Sequence, residues 1–94
     1  MSNSDAFGTL ARAVCERFGV KKVYFARALG NRLHYLGGYG EETYLPPEKA
    51  ELDEGLWVFY EGAEELPPDQ KEELLRVVRE AGRRLWQQGK GRGD

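Results

Sequence analysis

Thiols and imidazoles are almost missing from this sequence, which contains one cysteine, Cys15, and one histidine, His34. A single cysteine cannot close a disulfide within the chain, so nothing marks the protein for an oxidising compartment. A lone histidine with no cysteine near it lacks the partners a zinc site requires, and no metal is expected. Long apolar runs are missing too. No stretch approaches the ~20 residues that span a bilayer, and no apolar segment of signal-peptide type stands at the start. The expected address is cytoplasmic, with no membrane partner. Nor does either sign of charge dominate: 14 Lys and Arg stand against 16 Asp and Glu, a net charge of -2. A balanced, slightly acidic chain does not draw phosphate backbones from a distance, and no nucleic-acid partner is expected.

What the sequence does contain is enough for one small folded domain. Its 94 residues are 40% hydrophobic and 12% aromatic, which argues against disorder outside the ends. Ser4 is a good N-cap, and Phe7, Leu10, Ala11, Val14 and Phe18 recur at helical spacing, predicting a first helix from about Asp5 to Phe18. Gly19 suits the position just past its end. Lys22 to Leu29 and Arg32 to Gly38 read as strands around a Gly30-Asn31 turn. That turn sets Leu29 opposite Arg32, Ala28 opposite Leu33 and Ala26 opposite Tyr35. One face of the hairpin then carries Tyr24, Ala26, Ala28, Leu33 and Tyr35, and the other Val23, Phe25 and Leu36. Leu56 to Tyr60 is apolar throughout, as in a strand covered on both faces. The acidic segment from Glu41 to Gly55, broken by Pro46-Pro47, reads as a loop with a short strand at Thr43-Tyr44-Leu45. Pro67-Pro68-Asp69 opens a last helix whose stripe is Leu74, Val78, Ala81 and Leu85, ended by Gly89. The domain is expected over residues 5–88, with a frayed start at 1–4 and a flexible tail at 89–94. Two amphipathic helices at opposite ends of the chain need an apolar surface to cover. The expected fold is α+β: an antiparallel sheet with the N- and C-terminal helices packed on one face, and Leu56 to Tyr60 beside Lys22 to Leu29.

No motif carries catalysis. Cys15 lies beside the apolar stripe of the first helix and has no base at motif spacing; His34 would reach it only through the tertiary fold. The carboxylates between Glu41 and Glu54 lack the spacing of a calcium loop. Gly37-Gly38-Tyr39-Gly40 has no Lys-Ser/Thr to make a phosphate loop and reads as a bend or a close backbone approach. Arg76, Arg79, Arg83 and Arg84 are interrupted by Glu80 and preceded by Glu72 and Glu73, as on a salt-bridged solvent face. Arg92-Gly93-Asp94 matches an adhesion tripeptide by chance. The expectation is a chain that is not an enzyme and needs no cofactor.

The stretch Phe7 to Val20 resembles the opening helix of a GAF domain and its turn into the first strand. Lys22 to Gly40 is similar to that family's first hairpin, with its terminal glycine. Gly55-Leu-Trp-Val-Phe-Tyr60 looks like its last central strand, and Glu65 to Leu75 with Val77, Val78 and Leu85 like its closing helix. GAF domains bind small ligands or act as regulatory dimerisation units. Here only fourteen residues separate Gly40 from Gly55, where full-length members place the elements that cover the ligand pocket. The resemblance therefore implies a shortened member, and no family site residue carries over. It implies a regulatory protein-interaction module in signalling, working as a homodimer or on another protein. The alternative is a small-molecule sensor with a shallow pocket on the open sheet face. Two helices cover one face of a sheet whose strands are apolar on both, so an uncovered apolar patch is expected. The candidate interface residues are Trp57, Phe59, Val23, Phe25 and Leu36, with the parity of Leu56 to Tyr60 left open.

Overall fold

The structure, a computed structural model, describes residues 3–41, 43 and 46–92. The elements follow in the order α1 (Asn3–Phe18), β1 (Lys22–Leu29), β2 (Arg32–Gly40), β3 (Glu48–Asp53), β4 (Leu56–Glu61) and α2 (Pro68–Arg92). The four strands form one antiparallel sheet in the order β2-β1-β4-β3. This is the expected α+β arrangement, with β1 and β4 side by side at the centre. Among the described residues no helix is long and apolar enough to cross a membrane.

The β1–β2 hairpin turns on Gly30-Asn31 and has the register its turn dictates, Leu29 opposite Arg32 and Ala26 opposite Tyr35. Gly30 takes φ +60°, the left-handed region that such a tight turn requires. Beyond Tyr35 a bulge inserts Leu36, and Phe25 then pairs with Gly37. β2 runs on to Gly40. A Cβ at Gly40 would lie 2.1 Å from the Lys21 carbonyl oxygen, so the close backbone approach admits only glycine.

Both helices pack on the same face. Phe7, Val14 and Phe18 of α1 and Leu74 and Val78 of α2 are buried against Val23, Phe25, Leu56 and Val58. The rings of Phe7 and Phe25 lie 5.2 Å apart. Each large apolar side chain fully buried here contributes about 1.5–3 kcal/mol. Gly82 lets α2 settle closely: a Cβ there would sit 3.1 Å from a Leu52 methyl.

Besides the extension of β2 to Gly40 and of β4 to Glu61, three differences from the sequence expectation stand out. α1 begins at Asn3 rather than near Asp5, a difference within the usual uncertainty of helix ends. α2 continues through Gly89 to Arg92, so the expected tail at 89–94 is helical over most of its length. Gly89 and Gly91 cost the helix about 1 kcal/mol each, and no proline follows to stop it. The third difference is β3. The segment read as a loop holds a six-residue strand, in which Ala50 and Leu52 turn toward the helices while Lys49 and Glu51 are exposed. It joins β4 through Glu54-Gly55, and its register shifts between Glu51 and Asp53. The short strand expected at Thr43-Tyr44-Leu45 falls partly on Tyr44 and Leu45, outside the described residues; Thr43 itself is in no strand.

Candidate functional site

α1 and α2 both lie on one side, so neither helix covers the sheet's other face, the open face below. Strand pairing arranges its side chains in rows. One row runs Gly38, Tyr24, Phe59, Lys49 across β2, β1, β4 and β3. The next runs Tyr35, Ala26, Trp57, Glu51. Beyond the second lie Leu33 and Ala28, and beyond the first Gly40, Lys22 and Glu61. Tyr24 stacks on Phe59 with centroids 4.9 Å apart and planes 6° from parallel. Tyr24 and Tyr35 rings lie 6.2 Å apart. The Lys22 ammonium sits 5.4 Å from the centre of the Tyr24 ring and that of Lys49 5.9 Å from the Trp57 ring, in the range of cation–π attraction. The result is an aromatic strip with cations resting on two of its rings.

Exposure is uneven across this strip. Tyr35 is 67% and Leu33 57% exposed, the highest values among the large apolar side chains of the described residues. Trp57 is half-buried, and Phe59 is buried by its neighbours. Tyr35 lies along β2, its hydroxyl 2.9 Å from where a Gly38 Cβ would stand; that position would also be 2.5 Å from the Tyr24 Cβ. Gly38 thus makes room for both rings.

The five interface residues named from the sequence do not share a face. Trp57 and Phe59 are on the open side. Val23 and Phe25 have no exposed surface and lie beneath the helices, where Leu36 also packs. Val23 and Phe25 are core residues and Leu36 is partly buried against them, so burial beneath the helices corrects their assignment to an interface on the open face. The residues missed as candidates are Leu33, Tyr35, Lys49 and Glu51. Leu33 and Tyr35 did alternate with Tyr24 and Ala26 on one hairpin face, which was the available signal. Lys49 and Glu51 gave none while their segment read as a loop.

The other candidates are separated or occupied. Cys15 is buried, and its thiol lies 3.7 Å from the Tyr39 carbonyl, to which it donates. Burial pushes its pKa up, with the Glu16 charge adding and a backbone hydrogen bond at Val23 opposing. A thiol held protonated is a poor nucleophile. His34 is exposed on β2 opposite Arg27, whereas Tyr39 pairs with Val23. Four residues of strand, about 13 Å, separate the two positions, so the fold does not bring Cys15 and His34 together. Among the acidic residues, Glu48 pairs with Lys71 at 3.4 Å and Asp53 with Arg83 at 3.8 Å. Glu61 is buried and accepts a hydrogen bond from the Thr43 hydroxyl. Among the described residues no group of three or more His, Cys, Asp or Glu is arranged to hold a metal. Arg76 lies between Glu73 and Glu80, and Arg17 also reaches Glu73, so charges of both signs interleave on that side of α2. Gly93 and Asp94 of the terminal tripeptide lie outside the described residues.

Depressions among the described residues include three of note. One of about 610 Å³ opens beside Cys15, Val20 and Gly40 at the sheet's end. Another, about 530 Å³, follows Gly8, Arg12 and Tyr39 between α1 and β2. The third is on the open face, about 220 Å³, between Leu33, Asn31, Lys49 and Trp57. It is smaller than the roughly 300–1,000 Å³ of ordinary ligand pockets. No protein-family model, curated protein or solved structure matches the chain.

Proposed function

We propose that this chain is a non-catalytic regulatory module that works by protein association through its open sheet face, in the manner of a shortened GAF-like domain. The observation that carries the reading is the exposure of Leu33 and Tyr35 beside Trp57 on a face that neither helix covers. Tyrosine and tryptophan are enriched in protein interfaces because each offers a rigid apolar body with a polar edge. Contiguous exposed apolar surface of a few hundred Å² marks interaction sites in soluble domains. The sensor alternative has one specific observation in its favour, the depression beside Trp57. Its volume suits only a small fragment, which ranks it second.

The test is the pair of substitutions Leu33→Asp and Tyr35→Asp made together. Both side chains are largely exposed, so the variant should keep its circular dichroism spectrum and its melting temperature within a few degrees. After chemical crosslinking in native extracts of the host the wild-type chain should give products above its monomer mass and the variant should stay near 10.7 kDa. A folded variant that still runs with the wild type would overturn the reading.

A further inference from the structure

We propose that the occupant of the open face is a second copy of this chain, docked face to face about a two-fold axis that runs across the strands. The axis lies between the row containing Tyr24, Phe59 and Lys49 and the row containing Ala26, Trp57 and Glu51. This rests on the reading of the face as an association surface and adds to it the partner and the geometry.

Charge and exposure vary across the strands in a way that selects this axis. The most exposed apolar groups, Leu33 and Tyr35, belong to β2, and the exposed charges Lys49 and Glu51 belong to the opposite edge, β3. A two-fold parallel to the strands would set β2 over the partner's β3 and press Tyr35 and Leu33 onto a charged edge. A two-fold across the strands keeps each strand over its own mate. It exchanges the two central rows, so Lys49 faces the partner's Glu51, and Glu51 faces the partner's Lys49. Both pairings are attractive, and symmetry makes the surface complementary to itself.

Side-chain size agrees with the same axis. Tyr24 meets the partner's Ala26, a large group over a small one, and the reverse occurs across the axis. Phe59 meets the partner's Trp57. Tyr35 lies from its own row toward Gly38 in the next, so it straddles the axis and meets the partner's Tyr35. Lys22 and Glu61 stand in an outer row and already oppose each other within one copy. Packing two such sheets face to face is the ordinary geometry of a β-sandwich core.

The area sets the strength. Four strands by five residues cover roughly 19 by 17 Å, on the order of 300 Å² in projection. A stable interface of standard size uses about 800 Å² per partner, so this contact is weak and reversible. The expected dissociation constant is micromolar or weaker, a range in which a change of concentration or a linked domain would set the degree of pairing.

Charge reversal tests this by sedimentation equilibrium from micromolar to millimolar concentration. Lys49→Glu alone places like charges opposite one another at two points, and so does Glu51→Lys alone. Each should weaken self-association about tenfold. When the two variants are mixed, one chain's new carboxylate faces the other chain's new ammonium, and the native pairing recurs at the second point. The mixture should therefore pair with wild-type strength, with one chain carrying a fluorophore to follow the heterodimer. The double variant Lys49→Glu with Glu51→Lys should also recover. Recovery in the mixture has no explanation within a single chain, so altered folding does not imitate it. A mixture that pairs no better than either variant, or a wild type that stays monomeric to millimolar concentration, would overturn the inference. If the same face still binds a different protein in host extracts, only the identity of the partner fails. If Leu33→Asp with Tyr35→Asp changes nothing either, the association reading fails with it.

Discussion

Cys15 shows how position decides what a residue can do. On the sequence it is the one nucleophile of its kind; in the fold it donates to the Tyr39 carbonyl from the buried side of α1. Burial pushes its thiol above the ordinary value of 9.0, and pushes the Tyr24 and Tyr60 hydroxyls above 10.0. All three retain protons more tightly when folded. The stability this provides is complete below their unfolded pKa values and is lost as pH rises through the folded ones. The urea midpoint should therefore hold through neutral pH and fall on the alkaline side from about pH 9, with Cys15→Ala removing the earliest part of the decline. At neutral pH the thiol should react with iodoacetamide at least about tenfold more slowly than in the unfolded chain. Rapid alkylation of the folded protein, or an alkaline decline identical in Cys15→Ala, would contradict this account of the site.

Among the elements, β3 was the least legible and the two central strands the most. Gly30-Asn31 fixed the register of the first hairpin, because a two-residue turn leaves no freedom in pairing. Leu56 to Tyr60 declared itself by its unbroken apolar run. Glu48-Lys49-Ala50-Glu51-Leu52-Asp53 has only two apolar residues, follows two prolines, and carries the charge typical of an edge strand. Its alternation of Ala50 and Leu52 with Lys49 and Glu51 was a real signal, but too short to separate from a polar loop. Leu52 is 4% exposed, so Leu52→Ala should cost about 2–4 kcal/mol in urea or thermal unfolding. A cost near zero would return this segment to the status of a loop. The end of α2 was misread for a related reason: Gly89 has the chemistry of a helix stop, but nothing after it enforces one.

At the scale of the molecule, the fold followed from two amphipathic helices flanking apolar strands, while the site did not. Val23 and Phe25 look no more like core than Tyr24 and Ala26 when read as a string. Their separation into a covered and an open face emerges only when the helices choose a side. The bulge at Leu36 then sets Gly38 under Tyr35 and Tyr24, completing the aromatic strip. The central claim is that this open face, and not the outer side of the helices, meets other protein. A photo-crosslinking amino acid placed at Tyr35, and separately at the exposed Arg79 of α2, measures it directly in the host cell. The account predicts a discrete crosslinked product from position 35, at twice the monomer mass, and none from position 79. Products from position 79 alone, or equal products from both, would contradict it.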